Sequence, residues 1–191
     1  MTSLDHIRKH VLDDAVELAR TTAMAAPLMD THLDGNHSAV RRFLRETLAR
    51  HVVLVVLRLY DRRGQGPSGE TASVPVLLEY AVRSRKLETK EAAVFTKRLE
   101  SLKADLEGKK LKFSELRAFR NAELAHSLHR TPSPTIGLWP VWEFAHDTYE
   151  LVLDLDSELV KRGASEITSL DRTFDDWRDF GEAFWSSIKM D

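Results

Sequence analysis

Apolar residues recur at three- and four-residue intervals along nearly the whole chain, and this spacing constrains the fold most. In the first segment Leu4, Ile7, Val11, Ala15, Leu18 and Thr22 follow it. Residues so spaced share one face of an α-helix, not of a strand. Pro27 is the expected end of this helix, and Asp30 to Asn36 reads as a loop. Asn36 or Ser38 is placed to cap a second helix running to about Arg62. Its expected core face is Phe43, Leu44, Leu48, Val52, Val55 and Leu59. Val52 to Leu57 alone would pass for a buried strand, but inside this longer pattern it reads as helix. Gly64, Gly66, Pro67 and Gly69 make a loop.

A shorter helix is expected from about Ala72 to Arg85, with Pro75 in its first turn, where a missing N–H costs little. Ala92, Phe95, Leu99, Leu102 and Leu106 mark the next, with Gly108 just past its end. Another runs from Ser114, read as its cap, through His129. Pro132, Pro134, Gly137 and Pro140 form a second linker before a helix over Trp139 to Val160. The last spans Phe174 to Ile188, with Thr173 as cap. No internal repeat is visible. The expectation is an all-α, up-and-down bundle of about five to seven helices, in which residues 1–165 form the bundle and 166–191 a C-terminal amphipathic helix packing on it.

Composition narrows the chemistry. The 191 residues include no cysteine, which excludes disulfides, thiolate catalysis and cysteine-based zinc sites. The segment Met1 to Asp14 is charged and lacks the apolar core of a signal peptide. Val52 to Leu57, the longest apolar run, is far too short to span a bilayer. No membrane association is expected, and a cytoplasmic location is the default. The net charge of −2 argues against a general nucleic-acid coat. One segment is locally basic: Lys109, Lys110, Lys112, Arg117, Arg120 and Arg130, with His126 and His129, opposed only by Glu115 and Glu123.

Within that segment, Leu116-Arg-Ala-Phe-Arg120-Asn121-Ala-Glu123-Leu-Ala-His126-Ser127 resembles the signature of the HEPN superfamily: an Arg, often followed by Asn, then a His a few residues on. The string from Arg120 to Ser127 is similar to the AbiU-type branch, linked to abortive infection of phage. Arg58-Leu-Tyr-Asp61 and Ser73-Val-Pro-Val-Leu-Leu78 resemble that branch too. The resemblance covers roughly Arg58 to Ser127 directly. It implies a helical bundle that dimerises through the motif helix, with two copies of the motif lining one cleft. It also implies metal-independent cleavage of RNA, with Arg120, Asn121 and His126 as catalytic residues; Lys112, Arg117, His129 and Arg130 of the basic segment are the expected RNA-binding residues beside them. The physiological setting it implies is a toxin or phage-defence effector, restrained by an antitoxin or another regulatory protein. Where HEPN proteins paired with nucleotidyltransferase antitoxins carry a modified Tyr two residues after the His, this chain has Leu128.

The residue types suit the reaction. A neutral His accepts a proton near working pH. Arg presents a permanent forked charge to phosphorane oxygens. Asn121 orients either group, and neither a metal nor a cofactor is called for. Six residues turn a helix by about 600°, so Arg120 and His126 point about 120° apart with a rise of about 9 Å. One straight helix does not bring them together, but two chains about a two-fold axis can. The competing reading is a non-catalytic helical module that binds a protein partner or RNA.

Other residues admit two readings. His6 and His10 are a candidate metal pair without a compelling third ligand. His51 is either a satisfied, partly buried residue or a cleft residue beside Arg58. Arg58 and Asp61 have the spacing of an intrahelical ion pair. The aromatic stripe Phe174, Trp177, Phe180, Phe184 and Trp185 reads as core packing rather than as an RNA-stacking platform, because acidic residues surround it. Trp139 and Trp142 read as core as well.

Overall fold

The computed structural model describes residues 3–30, 38–61, 72–109, 111–126, 138–165 and 174–187. Among them are seven helices and no strand: α1 (Leu4–Asp30), α2 (Ser38–Tyr60), α3 (Val74–Arg83), α4 (Thr89–Gly108), α5 (Phe113–His126), α6 (Leu138–Lys161) and α7 (Phe174–Ser187). The fold is thus an all-helical bundle. The expected loops at 31–36 and 64–69, the linker at 132–137 and the Thr173 cap lie outside the described residues.

Helix α1 is the central element and packs against α2, α3, α6 and α7. Ile7, Val11, Leu12, Ala15, Leu18 and Ala19 bury its apolar face. It continues through Pro27 to Asp30, contrary to the stop expected there. A proline removes one intrahelical hydrogen bond, and the remaining turns carry this helix three residues further.

Helix α2 is buried on more than one side: Val52, Val53, Val55, Val56, Leu57, Leu59 and Tyr60 are each at most 1% exposed. Each valine costs at most about 0.7 kcal/mol in helix propensity. Burying its side chain is worth roughly 1.5–3 kcal/mol. Packing therefore outweighs propensity, and the run is helix. Phe43 was expected in the core but is 63% exposed, so the buried face begins further along.

Several ends differ from expectation. Helix α3 stops at Arg83, and Arg85 takes the left-handed conformation usually given to glycine (φ 58°). The Lys86 and Arg85 amides donate to the Ala81 and Val82 carbonyls at 2.9 and 3.0 Å, closing the end. The Lys86 ammonium reaches the turn just past α6, donating to Arg162 O (3.0 Å) and Gly163 O (2.9 Å). Gly108 is the final residue of α4 and not the residue beyond it; Lys109 occupies the cap with φ −81°. Pro140 lies in the first turn of α6 rather than in a linker.

Helix α7 lies along α1. The contact is made at Gly181, where an added Cβ would fall 2.7 Å from Met24 Cα. Phe180 and Phe184, read from the stripe as core, are 45% and 42% exposed and stack on each other at 6.5 Å. Trp177 is partly buried, beneath the Arg20 guanidinium at 5.9 Å. Trp142 is buried as expected. The side chains of Phe174, Trp185 and Trp139 lie outside the described residues.

Candidate functional site

Helix α5 carries the motif. Its first turn is set by Lys112, whose backbone N–H donates to Glu115 Oε2 at 3.2 Å. The Glu115 and Leu116 amides in turn donate to Lys112 O. Lys112 is therefore the cap, and Ser114, expected there, sits one turn position inside the helix. The signal was Lys112-x-x-Glu115: the glutamate, not a hydroxyl, does the local bonding.

Phe113, Leu116 and Phe119 bury the inner face of α5 against α2 and α4. Phe113 meets Tyr60 of α2 at 5.3 Å and Phe144 of α6 at 6.3 Å. Tyr60 is buried and hydrogen-bonded to Thr148 Oγ1 at 2.9 Å. Thr148 donates its own proton to Phe144 O at 2.7 Å, so the Tyr60 hydroxyl must be the donor. Burial pushes the Tyr60 hydroxyl well above the ordinary tyrosine pKa. The Lys103 ammonium lies 5.5 Å from the Tyr60 ring centroid and 5.7 Å from that of Phe113. Sequence reasoning did not single out Lys103.

This anchoring leaves Ser114, Arg117, Ala118 and Asn121 exposed on the outer face, with Arg120 at its margin. Arg120 Nη1 donates to Asp61 Oδ2 at 2.9 Å, with the side chains 28% and 25% exposed. Arg117 Nη2 approaches the other carboxylate oxygen, Oδ1, at 3.5 Å, and its guanidinium lies 5.3 Å over the Phe113 ring. Arg120 Nε makes a long contact of 3.4 Å with Asn121 Oδ1. Two predicted site arginines, the asparagine beside them and Asp61 thus form one cluster. Lys112 is exposed at the helix start, and Lys109 of the basic segment is paired with Glu143 of α6. His126 is the last residue of α5, but its side chain, and all of His129 and Arg130, lie outside the described residues.

Arg58 and Asp61 do not pair with each other. Arg58 Nη2 turns to α1, 2.9 Å from both Asp14 Oδ1 and Glu17 Oε2. His51 Nε2 meets the other oxygen of Glu17 at 2.8 Å, so His51 and Arg58 share one carboxylate. Burial raises the Asp14 pKa above its ordinary value, partly offset by Arg58. The His6 and His10 rings are in edge contact at 4.5 Å, and no three His, Asp or Glu side chains among the described residues could hold a metal ion.

A separate cavity of about 620 Å³ lies between α3 and α4, lined by Pro75, Leu78, Val82, Ala92 and Leu99 among others, and includes none of the predicted site residues. No described helix is long and apolar enough to cross a membrane. The chain matches no family model, and no curated protein and no solved structure matches it.

Proposed function

We propose that this protein is a metal-independent endoribonuclease of the HEPN type, working as a homodimer whose two α5 helices line one cleft. The observation that carries the reading is the presentation of Arg120, Asn121 and Arg117 together on the solvent-facing side of α5. The resemblance of the Arg120 to Ser127 string to the HEPN signature supplies the chemistry. His126 takes the proton of a ribose 2′-hydroxyl. The 2′-oxygen bonds to the adjacent phosphorus, and the bond from phosphorus to the 5′-oxygen breaks. The leaving oxygen takes up a proton from water, and the products carry a 2′,3′-cyclic phosphate and a free 5′-hydroxyl. Arg120 offsets the charge gathering on the phosphorane oxygens. A toxin or phage-defence role under the control of an antitoxin, in the cytoplasm, is the setting that goes with this reading.

The test is cleavage of single-stranded RNA in EDTA, with end-group analysis, alongside Arg120→Ala and His126→Ala. Cyclic phosphate ends that vanish in both variants support the reading. Activity abolished by EDTA overturns it. One observation favours the alternative of a non-catalytic module: Arg120 is already engaged by Asp61. A folded dimer that cuts no RNA would decide for it.

A further inference from the structure

The carboxylate of Asp61 stands where an oxyanion ligand of Arg117 and Arg120 would stand. We propose that these two arginines form a seat for one phosphodiester group of RNA, and that Asp61 is an internal anion occupying it until RNA displaces it. The inference rests on the ribonuclease reading of the site and adds its regulation.

Each oxygen of Asp61 faces one arginine: Oδ2 takes Arg120 Nη1 at 2.9 Å and Oδ1 lies 3.5 Å from Arg117 Nη2. A phosphodiester has the same single negative charge and also offers two oxygens in a plane that guanidinium forks fit. Exchanging one anion for the other leaves the local charge balance unchanged. The seat outlasts the exchange, because Arg117 is also held over the Phe113 ring and Phe113 is fixed against Tyr60.

Three features make Asp61 a weak occupant. It follows the last residue of α2, where the partial negative charge of the helix C-terminus disfavours a carboxylate. Its side chain is one-quarter exposed, and ion pairs in contact with water are worth little. The Arg117 contact is at the limit of hydrogen-bond length. Asp61 thus screens two cations in the free protein, yet yields to a strand that brings further phosphates to neighbouring basic residues.

The experiment measures binding apart from cleavage, using a fluorescent oligouridylate whose 2′-hydroxyls are methylated. Asp61→Asn is expected to bind up to about fivefold tighter, the equivalent of one lost competing ion pair in contact with water. Its affinity should also fall more steeply with salt, the log–log slope growing by about 0.7 for each additional phosphate neutralised. Asp61→Glu should bind as the parent does. Equal or weaker binding by a folded Asp61→Asn overturns the proposal and makes Asp61 a positioning residue for Arg120. Should that variant not fold, the side-chain carboxylate carbon signal of Asp61 in the unaltered protein decides the matter. It must move as the oligonucleotide is added, and an unmoved signal overturns the proposal. If Arg117→Ala and Arg120→Ala both bind as tightly as the parent, the RNA reading itself fails, whatever Asp61 does.

Discussion

Arg120 Nη1 and Asp61 Oδ2 lie 2.9 Å apart, joining the motif helix to the end of α2. The ion pair is accessible to water, so its loss should change stability by no more than about 1 kcal/mol. Arg120→Ala is therefore expected to keep its fold while RNA cleavage falls about 10²–10³-fold, the usual effect of removing a transition-state donor. Thermal melting and cleavage measured together check this. A melting point lowered far beyond that of Arg117→Ala would make the residue structural instead.

His126→Ala should lower cleavage about 10²–10⁴-fold, as expected for a lost general base. Asn121→Ala should have the smaller effect, since Asn121 meets Arg120 only at 3.4 Å. Rates of all three variants on one RNA give the order. An Asn121→Ala defect exceeding that of His126→Ala would contradict the assignment of His126.

How much of this is legible in the sequence depends on how local each decision is. The helices are legible because apolar spacing is a property of each segment alone. The helix ends at Pro27, Ser114 and Gly108 depart from expectation because a single residue type settles an end only together with its surroundings. The partners of Arg58 and Asp61 are not legible. Spacing of three along a helix permits a pair, but α1 offers Arg58 two carboxylates and α5 offers Asp61 two guanidinia. The motif residues Arg117, Arg120 and Asn121 can be picked out from sequence, whereas the place of Asp61 beside them cannot. The aromatic stripe misleads for a related reason. Large rings draw attention, while the close approach of α7 to α1 is made by its smallest residue, Gly181.

Gly181→Ala should loosen α7 for that reason. The new methyl would meet the α1 backbone, with Met24 Cα at 2.7 Å and its carbonyl oxygen at 3.0 Å. Backbone cannot swing aside as a side-chain tip does, so a cost of about 1–3 kcal/mol is expected. Hydrogen exchange of α7 amides should accelerate more than that of α5. Unchanged protection in α7 would mean that the two helices separate slightly at no cost.

Tyr60 gives a prediction in pH. Its hydroxyl is buried and donates to Thr148, so its folded pKa stands above the ordinary value of 10.0. In the unfolded chain the phenol ionises near that ordinary value. The folded state therefore holds its proton where the unfolded state has released it. Stability from this group is fully present below pH 10 and is lost as pH rises above it, by up to about 1.4 kcal/mol per pH unit. Tyr60→Phe removes this dependence. At neutral pH the variant should be about 1 kcal/mol less stable, because Thr148 loses the hydrogen bond it accepts. Above pH 10 its denaturant midpoint should fall less steeply than that of the parent. Parallel curves through the alkaline range would show that Tyr60 titrates alike in both states, and hence that the ring is less sequestered between Phe113 and Phe144 than the fold requires.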